Sequence, residues 1–347
     1  MAEQSASAVT AVREPRAPRP GIFKRMFGRP EFGSVMGAII VAVFFTWRAD
    51  AFLTTRGIAN VLDPSASLGI MAVAVALLMV GGEFDLSAGV MIGATGTTFA
   101  MLTVEAGLNV WLAMLITLIF AVFIGLFNGF MVLRTRLPSF IVTLGTLFML
   151  LGANVGVTRL VTNRVIVSGV GNVPGADLPF TIFASSPIGR FRVTVIWWLV
   201  ITALATWVLL RTRFGNWIFG VGGDALAARS VGVPVAFTKI ALFVFVSVSA
   251  WLVGMMNTFR LSSASVSTGI GQEFEFIIAA VIGGCLLTGG YGSAIGAAIG
   301  ALIFGMVRQG IVLSGWNSDW FFLFLGVMLL IAALINQVVR SKAEEAR

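Results

Sequence analysis

Ten apolar segments succeed one another along the chain, near residues 34–47, 66–81, 86–103, 109–133, 140–158, 193–210, 236–257, 274–289, 293–313 and 319–338. A helix needs about 20 apolar residues to cross the hydrocarbon core of a bilayer. These runs are continuous and longer than the alternating strands of a membrane β-barrel, which argues for helices. The first, second and eighth are short, so one or more is expected to be broken or half-spanning. The expected fold is all-α, a polytopic membrane protein with about ten transmembrane helices, some broken or re-entrant, in a single transmembrane domain over 34–338.

Composition agrees. Of 347 residues 58% are hydrophobic and 11% charged, against about 25% charged in soluble domains. The chain has no His, which removes His-based metal sites and His general-base catalysis. A lone Cys285 within an apolar run forms no internal disulfide and reads as a small buried residue. The net charge of +8 lies mostly in tails and connecting loops. There the positive-inside rule accounts for it, and nucleic acid is not an expected partner.

Residues 1–33 are polar and rich in Pro and Arg, and are expected to form a disordered basic cytoplasmic tail; 339–347 are expected to form a cytoplasmic tail. Both termini on the cytoplasmic side require an even number of crossings. Ten crossings put Arg134 and Arg136 on that side, with Arg211, Arg213 and Arg229. The connection 159–192 then falls outside although it carries Arg159, Arg164, Arg190 and Arg192, against the rule. Its Pro174, Pro179 and Pro187 suggest an ordered external cap.

Within this frame, "LLMVGGEFDLSAGVMIGATG" (77–96) sets Glu83 and Asp85 between two apolar runs. An ionised carboxylate at mid-bilayer costs about 2.5–3.5 kcal/mol on insertion scales. Gly81 and Gly82 can end one helix, and Asp85 or Ser87 can cap the next. Two readings stay open: a polar turn at the cytoplasmic surface, or a helix break lining a polar path inside the bundle. "AAVIGGCLLTGGYGSAIGAAIG" repeats the same order of apolar run, Gly-Gly, break and Gly-spaced helix, so an internal duplication is possible. Glu273 and Glu275 ahead of it read as an exposed helix start. Arg308 is expected near the outer end of its segment, with its side chain snorkelling. Asn128 and Asn154 lie in spans, where interhelical hydrogen bonding is the first reading and sugar binding the second.

"TRFGNWIFGVGGDALAARSVGVPV" (212–235) is too polar to span. Asp224 can cap the short helix "ALAARSV" and Gly232 can end it. It is either an amphipathic connector on the membrane or a helix offered to a cytoplasmic partner. No lysine follows a glycine anywhere, so the chain has no nucleotide-binding P-loop.

Four stretches, in order and spacing, resemble the ribose-type permeases of bacterial ABC importers: "GGEFDLSAG", "LPSFIVTLGT", "TRFGNWIFGVGGDALAARSVGV" and "RLSSASVSTGIGQEFEFIIAAVIGGCLLTGGYGSAIGAAIGALIFG". The resemblance covers about residues 50–338. It implies an inner-membrane subunit with no chemistry of its own that imports a monosaccharide or related polyol. It also implies as partners two ATPase subunits that bind ATP-Mg, a soluble substrate-binding protein and a second permease copy or paralogue. The chain itself would bind no cofactor, only membrane lipid and the passing sugar. The resemblance further implies that Gly222, Gly223, Asp224, Leu226, Ala227, Ala228, Arg229 and Gly232 form the coupling helix. Glu83, Asp85, Ser87, Asn128 and Asn154 are candidates for the path or its helix break. Two departures stand out. Leu226 replaces the usual Glu of the coupling motif, and Glu83-Phe84 replaces a single Ile before Asp85. The alternative from another class is a secondary transporter using Glu83 or Asp85 as an ion or proton site.

Overall fold

The computed structural model describes residues 31–345, with side chains as far as Leu334. The expected tail over 1–33 therefore lies, up to residue 30, outside the described residues, as do 346 and 347. The helices are α1 Glu31–Arg48, α2 Thr55–Val80, α3 Ala88–Ala100, α4 Val110–Thr135, α5 Ser139–Thr162, α6 Asp177–Phe183 and α7 Val193–Arg211. They continue with α8 Arg213–Gly223, α9 Ala225–Ser230, α10 Val235–Leu261, α11 Gln272–Ile282, α12 Ala294–Leu313 and α13 Trp320–Glu345. Two short strands, β1 Ile166–Ser168 and β2 Ser263–Ser265, pair antiparallel with Val167 opposite Ala264.

Among the described residues seven helices are long and apolar enough to cross a membrane: α1, α2, α4, α5, α7, α10 and α12. Two of the other three apolar segments become shorter pieces. The 13-residue α3 is extended by a π-helical turn over Met101–Glu105. The 11-residue α11 makes the eighth segment a half-span. The tenth segment lies in α13, a helix of 26 residues. The expected shortness of the second segment does not hold, because α2 has 26 residues. Asp63, Pro64 and Ser65 make its first half look like a loop in the sequence. In the structure Ser65 Oγ bonds the carbonyl of Val61 at 2.7 Å, and Asp63 pairs with arginines from other helices.

α2 is the axis of the bundle. Every residue from Leu68 to Gly81 is buried, as expected of a helix apolar on all sides. It packs against α12, α7, α10 and α11. Around it α4 and α10 clasp α3, and α5 closes over α3 from the far side.

The chain ends its passes on two faces. One face carries α8 and α9, the helix breaks after α2 and α11, and Glu31, which accepts a hydrogen bond from Ser293 Oγ at 2.6 Å. The opposite face is capped by β1, β2 and α6. Phe183 of α6 stacks between Trp197 and Phe259 at 6.1 Å each, and Phe259 in turn packs on Phe99 at 5.3 Å. Beside this aromatic column Asp63 Oδ2 receives Arg260 Nη1 at 3.1 Å and Arg192 Nε at 3.4 Å, joining α2, α7 and α10. Arg48 lies over the Trp316 ring and Arg308 over Phe321. Of the arginines that run against the charge rule, Arg192 is thus held by an acidic partner.

Candidate functional site

The two similar glycine-rich stretches end their helices in the same way. Gly81 closes α2 at φ −71°, ψ 0°, and Gly283 closes α11 at φ −68°, ψ −3°. Each is followed by a left-handed glycine, Gly82 at φ 83° and Gly284 at φ 91°. The N–H of Glu83 returns to the carbonyl of Leu78 at 3.1 Å, and that of Cys285 to Ala280 at 3.0 Å. This is a Schellman stop, which needs a residue free to take positive φ. Serines Ser87 and Ser293 then precede α3 and α12.

Both breaks meet α8. Gly290 N–H donates to the carbonyl of Val80 at 2.8 Å. A Cβ on Gly222 would fall 1.7 Å from that same carbonyl oxygen and 2.7 Å from Gly290 N. One on Gly289 would fall 2.7 Å from Gly222 O and 2.8 Å from Gly82 Cα. Three Gly-Gly pairs, 81–82, 222–223 and 289–290, therefore converge into one node of bare backbone. Only residues without side chains allow three main chains to approach this closely.

From the node the chain enters α9. Asp224 Oδ1 accepts the N–H groups of Leu226 and Ala227 at 2.8 and 3.0 Å, so it is the N-cap expected from sequence. Gly232, at φ 85°, ends the segment. Ala228 is buried, whereas Gly223, Ala227 and Arg229 are exposed. Leu226 is 79% exposed and Val231 81%. Two large apolar side chains are thus presented outward beside the cap of α9.

The acidic pair separates into two roles. Glu83, buried at 7% exposure, pairs with Lys239 Nζ near the start of α10. This ion pair ties the α2–α3 break to α10. Asp85 is 1% exposed. Its Oδ1 accepts Ser87 N–H at 2.8 Å and Ser87 Oγ at 2.5 Å, while Oδ2 has no hydrogen-bond partner among the described residues. Ser87 itself makes no capping bond. Its Oγ instead accepts from Asn128 Nδ2 at 3.0 Å, and Asn128 Oδ1 accepts Thr146 Oγ1 at 2.7 Å. A polar relay thus runs from the break into α4 and α5. Ser139 and Thr143 of α5 accept the N–H groups of Phe84 and Leu86 at 3.0 and 3.1 Å.

Asn154 is elsewhere. Its Oδ1 accepts Thr97 Oγ1 at 2.5 Å, and its Nδ2 donates to the carbonyl of Val266 at 3.5 Å. Val266 belongs to a feature missed from sequence. After β2, residues 266–271 descend along α3, and α11 begins only inside the bundle. A Cβ on Gly93 would lie 2.4 Å from Thr268 O, and one on Gly89 would lie 2.5 Å from Gly269 O. Gly89 and Gly93 of α3 thus seat a run of tight turns, whereas Gly96 packs on Gly254 and Thr258 of α10. Gly254 contacts Thr95 seven residues before the capped-face end of the 27-residue α10. Gly89 lies about 10 Å further in, hence near the middle of an about 40 Å helix.

The first turn of α11 is therefore set at mid-depth, and Glu273 in it is only 4% exposed, against the expected exposed helix start. Its Oε2 packs on Gly89 and has no hydrogen-bond partner among the described residues. Discontinuous helices of this kind mark substrate paths in transporters. Among the described residues no group of three metal-ligating acidic, Cys or His side chains occurs.

A profile of the family described as "Branched-chain amino acid transport system / permease component" matches residues 57–333. The Xylose transport system permease protein XylH of Escherichia coli (strain K12) is 31% identical, over 89% of this chain and 92% of that protein. The Ribose import permease protein RbsC of the same strain is 32% identical over 87% and 92%. The Galactose/methyl galactoside import permease protein MglC is 29% identical over 89% and 94%. No solved structure matches. An all-helical bundle with paired helix breaks, matched to the profile and to these relatives over most of its length, belongs to this family of membrane permease components.

Proposed function

We propose that this permease imports a monosaccharide or a related polyol, powered by separate ATPase subunits that dock on α9. The relatives above are named for xylose, ribose and galactose, which favours a sugar over the amino acids of the family description. In this reading the face bearing α9 is cytoplasmic, with both termini on that side, and the capped face receives a soluble substrate-binding protein. A second copy or paralogue completes the path, and ATP-Mg is bound by the ATPases alone. The path runs beside α3, between the α2–α3 break and the half-helix α11, with Glu83, Asp85, Ser87, Asn128 and Asn154 fixing its walls rather than reacting.

One observation carries the proposal. Gly222, at the end of α8, packs backbone to backbone on both helix breaks, two residues before the cap of α9. A force on α9 therefore acts on α2, α3, α11 and α12 through main chain, with no flexible side chain between. Closure of docked ATPases would bias the bundle between its two access states by differential contact. Coupling to an ion through Glu83 has no comparable support, because its carboxylate is held by Lys239.

The apolar Leu226 replaces a charged docking contact with a hydrophobic one. Leu226→Asp and Val231→Asp in the chain co-expressed with its ATPase subunit are expected to abolish co-purification and ATP-dependent uptake of radiolabelled sugar. The unfolding temperature of the permease should stay unchanged, since both side chains are exposed. Retention of the ATPase by both variants would overturn the assignment of α9.

A further inference from the structure

A cavity of about 300 Å³ opens between α2, α7, α8 and α10, and its lining is apolar throughout. Leu77, Leu204, Val208, Phe214, Ala241 and Phe245 form its walls. None of the residues placed on the candidate path or in the polar relay reaches it. Leu204 and Val208 share one face of α7, and Arg211, three residues on, continues that face to the helix end. Arg213 directly precedes Phe214 of the cavity wall. Both arginines are exposed, and neither forms an ion pair among the described residues. Around them, Asp224 is engaged as the cap of α9 and Glu83 is paired with Lys239. The site thus joins a dry slot at hydrocarbon depth to two unneutralised cations at the membrane surface.

We propose that an anionic phospholipid of the leaflet on the α9 face binds here, one acyl chain in the cavity and its phosphate on Arg211 and Arg213. The order of the two features matches a lipid, since apolar lining gives way to charge toward the face. An anionic headgroup near basic side chains at a surface gains about fivefold in affinity per cation, from ~1 kcal/mol each. The cavity wall also abuts the glycine node. A Cβ on Gly81 would sit 2.5 Å from Leu242 Cδ1, and Leu242 lines the slot.

Native mass spectrometry of the purified full chain, titrated with phosphatidylglycerol or phosphatidylcholine of the same acyl composition, tests this. Phosphatidylglycerol is expected to bind first and about thirtyfold more tightly. The double variant Arg211→Gln/Arg213→Gln should erase that preference, with a smaller loss for phosphatidylcholine, whose phosphate is offset by its choline. Ala241→Phe, which fills the slot, should weaken both lipids. Arg134→Gln/Arg136→Gln, a basic pair on the same face away from the residues that line the slot, should change neither. Equal binding of the two lipids shows annular contact only and overturns the proposal. So does a loss with Arg134→Gln/Arg136→Gln equal to that with Arg211→Gln/Arg213→Gln, or an Ala241→Phe variant that binds as the parent does.

Discussion

Glu83 departs from the ribose-type pattern, and its partner lies 156 residues away. Nothing local in the sequence announces Lys239, so the pair was illegible until the fold brought α10 against the break. Asp85 and Ser87, by contrast, bond each other within two residues, and that turn was readable. The contacts of the two acids predict different costs for losing each charge. Glu83→Gln leaves Lys239 uncompensated at a site between exposed and fully buried. The cost should fall between the about 1 kcal/mol of a surface pair and the about 3–5 kcal/mol of a buried one. Asp85→Asn keeps an oxygen for the Ser87 N–H and hydroxyl, and places an amide where Oδ2 has no partner, so it should cost less. Unfolding of the detergent-purified variants by heat reads both, and Glu83→Gln/Lys239→Met should recover most of the loss by removing both charges. A more damaging Asp85→Asn would show that the carboxylate charge itself is required.

Among elements, the ten segments and their order were legible because apolar length is a strong signal, and the two Gly-Gly stops were legible because a left-handed helix end favours glycine. What the sequence concealed was where the half-helix begins. Glu273 and Glu275 looked like a surface helix start, since their mid-depth position depends on residues 266–271 threading along α3. The node was hidden for a similar reason. Gly222 and Gly223 look alike in sequence, yet their surroundings are opposite. A Cβ on Gly222 would overlap Val80 O, whereas one on Gly223 would meet nothing within 4 Å. Gly222→Ala should therefore force α8 away from the breaks and cost several kcal/mol, in the range of overpacked cores at about 1–3 or beyond because backbone must move. Gly223→Ala should be neutral or slightly stabilising through the unfolded chain. Thermal unfolding and ATP-driven uptake of the two variants, measured side by side, discriminate the node from generic glycine flexibility. Equal tolerance of both would mean that the three backbones are not locked together.

At the scale of the molecule the two faces are fastened by different physics. The α9 face is held by backbone contact and a buried ion pair. The capped face is held by Asp63 with Arg192 and Arg260, whose side chains retain 26%, 34% and 30% exposure, and by the Trp197–Phe183–Phe259 stack. A half-solvated ion cluster is weak and easily exchanged for water, while interlocked main chain is not. Opening toward a binding protein should therefore begin at the capped face, with the glycine node as the fixed end of a lever. Asp63→Asn removes the shared acceptor charge from two arginines on α7 and α10 without changing shape. It should raise amide hydrogen exchange in segments 166–192 and 258–268, which sit on those helices and the cap. Exchange at 78–87 and 222–232 should stay at the parent level, because no contact there involves Asp63. Exchange mass spectrometry of the full chain in lipid nanodiscs reads both regions in one experiment. If deuterium uptake rose equally on the two faces, the capped and α9 faces would open as one unit, and a lever fixed at the node could not be how this bundle changes access.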